Sequence, residues 1–223
     1  MNRKNILSLI ATASMALTAE AQDIKLPQPN LQRSTKNVME TLASRHSTRE
    51  YSEKELSAQD ISDLCWAACG KSRDDSHITA PSAMNRQEIR LFVFTDKNVY
   101  EYNSKDNVLV QKAVGDNRDL LASNNARVQN GQGGFSQDFV KKAPVSLVMV
   151  IDFEKFGSKD ENALMMGCVD AGNVSENINL YCESAGLCTV PRATMDIKEI
   201  RKLLGLNEQQ LPIMNNPVGF PIK

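Results

Sequence analysis

Apolar and polar positions follow two periods along the chain, and the switches between them mark out its elements. Val145 to Phe153 is a nearly continuous apolar run, which predicts a central strand buried on both faces. Ile89 to Phe94 predicts a second strand. Val99–Tyr102 and Val108–Val110 flank the polar stretch Asn103–Asn107 and predict a hairpin. Helical spacing appears first at Val38, Met39 and Leu42, with Thr35 as the expected cap. It returns at Ile61, Leu64, Cys65 and Ala68, introduced by Ser57 with Asp60 three residues later and closed by Gly70; Trp66 falls off that stripe. The longest helical pattern runs from Asp160 to Ala185, stepping through Leu164, Cys168, Ala171, Ser175, Ile178 and Cys182. Gly167 and Gly172 lie inside it, where each costs about 1 kcal/mol against alanine, so a close packing partner is expected. Gly186 ends this helix and Leu187–Pro191 returns as a strand. Asp196, with Glu199 as box partner, caps a helix whose Ile197, Ile200, Leu203 and Leu204 face inward and which Gly205 ends. Residues 213–223 form a final extended segment.

The intervening stretches are polar. Residues 22–34 carry two prolines and read as an extended arm, part of an N-terminal segment 22–35 preceding the main domain, 36–223. Residues 71–87 form a loop that gathers Ser82, Asn85, Arg86 and Gln87 behind Pro81. Residues 116–124 predict a short helix, 125–134 an Asn-, Gln- and Gly-rich loop, and Ser136 the cap of another short helix. Residues 1–21 combine Arg3 and Lys4, an apolar stretch from Ile6 to Ala19, and an Ala19-Glu20-Ala21 cleavage signal, which reads as a secretory signal peptide. An exported, periplasmic or secreted protein cleaved near Ala21 is therefore expected. Loss of those residues shifts the net charge from −1 to −2.

Composition narrows the chemistry. With no basic excess and only 5% aromatic residues, neither a polyanion surface nor a base-stacking platform is expected. No later apolar run approaches the ~18 residues of a membrane span. The five cysteines, Cys65, Cys69, Cys168, Cys182 and Cys188, are odd in number, so at least one is free or pairs between chains. His46 and His77 are the only histidines, and neither has metal-ligand spacing to a cysteine pair, so no metal site is expected. A Cys/His nucleophile pair stays open beside the plainer reading of buried free thiols.

One motif stands out. Arg45-His46-Ser47-Thr48-Arg49 places two guanidinium groups and a hydroxyl at alternate positions. If the backbone is extended, all three point to one side and form a cradle for a terminal phosphate monoester. By itself such a run is also what a solvated surface segment looks like.

The order of further motifs adds weight. After Arg45–Arg49 come Leu64-Cys-Trp-Ala-Ala-Cys-Gly70, Ala80-Pro-Ser-Ala-Met-Asn85 with Gln87, Val99-Tyr-Glu-Tyr102, Ala185-Gly-Leu-Cys-Thr189 and Val218-Gly-Phe-Pro221. This series, over about residues 36–223, resembles the nitroreductase family of FMN-dependent oxidoreductases, and most of all the branch that includes the SagB-type dehydrogenases. The resemblance implies an α+β fold with a central, mainly antiparallel sheet flanked by helices and a long central helix at the dimer interface. It implies a homodimer with FMN at the subunit interface, and a ping-pong exchange between a small-molecule donor and acceptor through flavin N5.

By the same match, Arg45, Ser47 and Arg49 would hold the FMN phosphate, with His46 contributing backbone. Pro81, Ser82, Ala83, Met84 and Asn85, and more weakly Gln87, would line the flavin from the partner subunit. Leu187, Cys188 and Thr189 would lie against the ring. Family members commonly continue past the last motif with basic residues that reach the phosphate, a part left here to Lys223. Cys188 stands where glycine is common, as a small filler or as a thiol near N5. No catalytic side chain is implied, because the cofactor carries the redox chemistry. An exported protein of this fold that binds flavin without turnover is the alternative, since reduced nicotinamides are scarce outside the cytoplasm.

Overall fold

The structure is a computed structural model that describes residues 22–122 and 137–222. The expected signal peptide, the loop at 125–134, the Ser136 cap and Lys223 lie outside the described residues. A seven-stranded sheet organises the rest, in the order β1-β4-β3-β2-β5-β7-β6, with antiparallel pairing throughout. Its strands are β1 (Ile24–Lys25), β2 (Ile89–Thr95), β3 (Asn98–Asn103), β4 (Val108–Val114), β5 (Val145–Asp152), β6 (Cys188–Thr189) and β7 (Gln210–Gly219). Helices α1 (Val38–Ser44), α2 (Ala58–Cys69), α3 (Asp119–Ala122), α4 (Glu161–Ala185) and α5 (Ile197–Leu203) cover it.

The continuous apolar run of β5 is buried at every position because both faces of the sheet are covered. Val145, Leu147, Met149 and Ile151 face the core beneath α2 and α4, while Val148 and Val150 face a second core beneath α3 and α5. Its neighbour β2 divides the same way, Leu91 and Val93 against Phe92 and Phe94, as the two-residue period of a strand requires. The β3–β4 hairpin forms as expected, with a bulge between Val99 and Tyr100. Pro212 and Pro217 sit inside β7, a strand paired on both sides. Pro212 falls at a register shift against β5, where a missing N–H costs the ladder least.

Several local expectations are corrected. Asn37, not Thr35, caps α1: its side chain accepts from the Glu40 N–H and Glu40 returns a bond to the Asn37 N–H. The Thr35 hydroxyl instead donates to the Ser184 carbonyl. Residues 22–34 pack against the main domain. β1 pairs with β4, Leu26 is buried, and the Pro27 carbonyl accepts from Ser62 and Asn107.

The α4 stripe is right from Ala171 onward but wrong before it. Leu164 and Cys168 are exposed, and Ala163 and Gly167 take the inward positions. The reason is a close approach to β5: a Cβ on Gly167 would sit 2.8 Å from Ile151 Cδ1 and Cγ2. Gly172, by contrast, has nothing within 4 Å of such a carbon. Ile197 is partly exposed rather than inward, because Ile200 alone of the α5 stripe reaches full burial.

The Ser57–Asp60 capping box and the Gly70 stop of α2 form as expected. Trp66 lies over Gly70, so close that a Cβ there would meet the indole at 2.4 Å, and donates its N–H to the Lys71 carbonyl. Gly186 closes α4 with φ 72°, a left-handed conformation that glycine adopts without a Cβ clash.

Candidate functional site

Helix α1 ends at Ser44, and Arg45 caps it with an extended backbone, φ −56° and ψ 126°, its N–H still bonded to the Thr41 carbonyl. The chain then runs without helix or strand to Ser52, held beside β6 by the Thr48 N–H to the Thr189 carbonyl at 3.0 Å. Arg45 and His46 line a narrow crevice with Asn179, Cys182 and Glu183 of α4 and with Leu187, Cys188 and Thr189. Two of the three sequence-predicted groups are thus brought together in one chain.

The charges there are distinctive. Arg33, Arg90 and Arg118 each pair with a carboxylate, whereas Arg45 and Arg49 enter no ion pair among the described residues. Glu183, which lines the same crevice, is engaged by Lys36. Burial opposes the Glu183 charge, but hydrogen bonds from Lys36 and Ser44 outweigh it and hold the carboxyl below its usual range.

The turn after α4 supplies backbone rather than side chains. The Thr189 hydroxyl points inward, donating to the Pro217 carbonyl at 2.8 Å and accepting from Asn216. Asn216 also donates to Asn179 and accepts from Ser175, so a buried polar network fixes β6 on β7 and α4. The Cys188 thiol is directed to the Gly219 carbonyl at 3.4 Å, and burial pushes it up to about 11, so it stays protonated at neutral pH. All five cysteines are free.

The loop bearing Pro81, Ser82, Ala83, Met84, Asn85 and Gln87 lies elsewhere on α4. The Ala83 N–H donates to Asp170 Oδ2 at 2.7 Å and Asn173 donates to the Pro81 carbonyl. From Asp170 to Cys182 is twelve residues of helix, about 18 Å. The structure therefore does not close this loop over Arg45 and Thr189 within one chain. Met84, Asn85 and Gln87 have φ of 52°, 54° and 50°, a region costly for side chains other than asparagine. The turn is held by the Ser82 hydroxyl accepting from the Gln87 N–H, and by the Gln87 amide donating to Asn85 and to the Ser76 carbonyl. Gln87 is thus tied into its own loop, while Met84 stands 69% exposed.

Sequence reasoning missed Arg192. It follows Pro191 just beyond β6 and is buried, with Nε donating to Gln137 and Nη1 to Asn215, and its guanidinium over the Phe139 ring. Its Nη2 is buried with no hydrogen-bond partner among the described residues. Burial lowers its pKa to about 10; Tyr51 works against that shift, and Arg49 adds to it from nearby. Arg49 and Arg192 thus lie near one another, Arg192 with a donor unspent. A Pro-Arg pair after a short strand carries no periodicity that would have marked it.

No group of three or more His, Cys, Asp or Glu able to hold a metal ion exists among the described residues, and none of their helices is long and apolar enough to cross a membrane.

An antiparallel sheet sheathed by helices, with a cationic segment at one end of a long helix and a strained polar loop at its middle, defines an α+β class. The chain belongs to the nitroreductase family, whose model matches residues 42–220. Two similar proteins carry the name "putative nitroreductase". One, from Methanocaldococcus jannaschii, is 26% identical over 197 residues, covering 82% of this chain and 91% of the relative. The other, a crystal structure from Ralstonia eutropha JMP134, is 30% identical with a TM-score of 0.79 over 99% of this chain and 97% of that one. The NADPH:FMN oxidoreductase of Vibrio harveyi, solved with NAD+, shares the fold at 20% identity and a TM-score of 0.61, over 84% and 70% of the two chains. Family membership assigns the chain a general oxidoreductase role.

Proposed function

We propose that this protein is an FMN-dependent oxidoreductase that works as a homodimer, with each flavin held between subunits. The observation that carries the reading is the set of unspent cations. Arg45 and Arg49 enter no ion pair among the described residues, and the buried Nη2 of Arg192 has no acceptor among them, although burying an unpaired donor is costly. A phosphorylated, electron-accepting ligand satisfies all three.

In this reading Arg45, Ser47 and Arg49 hold the phosphate, with Lys223 as a further candidate. The backbone of His46 and of Leu187, Cys188 and Thr189 lies along the cofactor, and Pro81–Asn85 of the partner subunit covers it. Bound FMN supplies hydride acceptance and return at N5, alternating between a reduced donor and a small organic acceptor. The chain's own residues bind, orient and exclude water; Cys188, protonated and turned toward Gly219, serves as filler.

The divided site supports the dimer. Leu164, Met165 and Val169 on α4 are exposed, as are Val38, Met39 and Leu42 on α1. Pairing α4 with a second copy across a two-fold axis covers these faces and brings the loop of one subunit toward the Arg45 segment of the other. The tryptophan-bearing α2, the Pro-Ser-Ala loop and the Val-Tyr-Glu-Tyr hairpin favour the SagB-like branch. The leader at 1–21 favours action outside the cytoplasm.

The test is the purified protein itself. The expected result is a yellow dimer whose flavin absorbance bleaches with NADH or NADPH and returns with an organic acceptor. Bound flavin that neither nucleotide reduces would favour the exported binding protein instead. A colourless protein that takes up no FMN on titration overturns both.

A further inference from the structure

Asp170, which anchors the Pro81–Gln87 loop, has a second neighbour. Glu88 closes that loop at the start of β2 and is fully buried, and among the described residues no other residue gives either carboxyl oxygen a donor when it is ionised. Its contact with Asp170 is a hydrogen bond only if one of the two carboxyls carries a proton.

We propose that Glu88 is a positioning residue for the cofactor loop: as a neutral acid it donates to Asp170, and so keeps Asp170 in place to accept the Ala83 N–H. This rests on the FMN reading above.

The surroundings leave Glu88 little choice. Asp170 is the charged group that α4 presents to it. On β5, Asp152 gives its backbone N–H to the Glu88 carbonyl, while its carboxylate accepts from Glu154 and Gln210. Arg86 donates to the Lys155 carbonyl, and Arg90 pairs with Glu101, so neither cation neutralises Glu88. Burial raises its pKa first, Asp170 adds to the rise, and the two together outweigh its own backbone amide, placing it at about 7. Above that pH two buried carboxylates face each other. The repulsion is relieved when Asp170 releases Ala83, which leaves the three positive-φ residues of the turn to the loop's internal bonds and to Asn173.

The sign follows from linkage. An unfolded glutamate releases its proton near pH 4.5, the native one near 7, so the native chain binds more protons between those values. Stability conferred by the neutral pair is therefore full at low pH and lost as pH rises through about 7. If the loop must be docked for FMN to bind, the apparent Kd rises about tenfold between pH 6 and pH 8.

The experiment titrates FMN fluorescence quenching at pH 6, 7 and 8 in the wild-type dimer, Glu88→Gln and Asp170→Asn. An amide at position 88 donates to Asp170 at every pH. An amide at 170 donates to Glu88 while its carbonyl accepts from Ala83. Both variants are expected to flatten the profile to the residual slope of the FMN phosphate, whose own second pKa is near 6. Equal pH slopes in wild type and both variants overturn the anchor while leaving the cofactor reading intact. Failure of the wild type to bind FMN at pH 6 overturns the cofactor reading and this one with it. Urea unfolding of the apo chains supplies a readout free of ligand: wild type loses stability from pH 6 to 8, Glu88→Gln does not, and Asp170→Asn, in which burial of Glu88 remains, loses less than wild type. A parallel loss in the variants overturns the shared proton.

Discussion

Arg45 and the FMN phosphate can be tested as a pair, by removing each in turn. Arg45 is half-buried where α1 ends, whereas Arg49 is exposed. A hydrogen bond to a charged group contributes about 1.5–3 kcal/mol. Partial burial places Arg45 in the upper part of that range, about 2–3 kcal/mol, so Arg45→Ala is expected to weaken FMN binding about 30- to 150-fold. For Arg49, solvent screening reduces the contribution to about 1 kcal/mol, or roughly fivefold, and the loss should shrink further in high salt. Riboflavin lacks the phosphate, and against it Arg45→Ala should change the Kd by less than about twofold. Flavin fluorescence quenching with both ligands and both proteins completes the cycle. The reasoning fails if Arg45→Ala leaves FMN binding unchanged, or weakens FMN and riboflavin alike.

Other outcomes follow from packing. Gly167→Ala drives a methyl into Ile151 at a cost of about 1–3 kcal/mol, which Gly172→Ala does not incur, so urea midpoints should place the first below the second by that amount; equal midpoints would refute the close approach. Asn216→Ala takes from the Ser175 hydroxyl its acceptor and from the Asn179 side-chain oxygen its donor, costing about 2–3 kcal/mol and lowering Tm by about 4–12 °C in a scanning melt; an unchanged Tm would show the network to be idle. Val169→Glu places a charge on the exposed face of α4 and should convert a dimer to a monomer in sedimentation velocity, with FMN affinity down at least tenfold. A monomer that binds FMN as the wild type does would disprove a shared site.

Much of the fold could be read in the chain because local and global preferences agree. β5 is apolar at consecutive positions since both its faces are covered, and the Ser57–Asp60 box caps α2 where it announces itself. Helix α4 was harder. Its apolar positions are of two kinds, some packed on the sheet and some left at the surface, and periodicity cannot separate a core face from a docking face. Leu164 and Cys168 were therefore assigned inward, when Gly167 is what lets the helix approach Ile151. The Arg45–Arg49 segment stands out in the sequence because its charges are close along the chain. Arg192 and the Glu88–Asp170 pair do not, since each owes its character to burial among residues far along the chain. The expected loop at Pro81–Gln87 was found, but its dependence on Asp170 is a contact across 87 residues.

The outermost strands have a further consequence. β1 and β6 are each two residues long, so the outermost strand at either flank of the described sheet offers only a short ladder on which another chain could extend it. Edges this short guard against edge-to-edge polymerisation. Self-association is thereby steered to helix surfaces, where contacts are made by side chains and can be closed by symmetry at two copies.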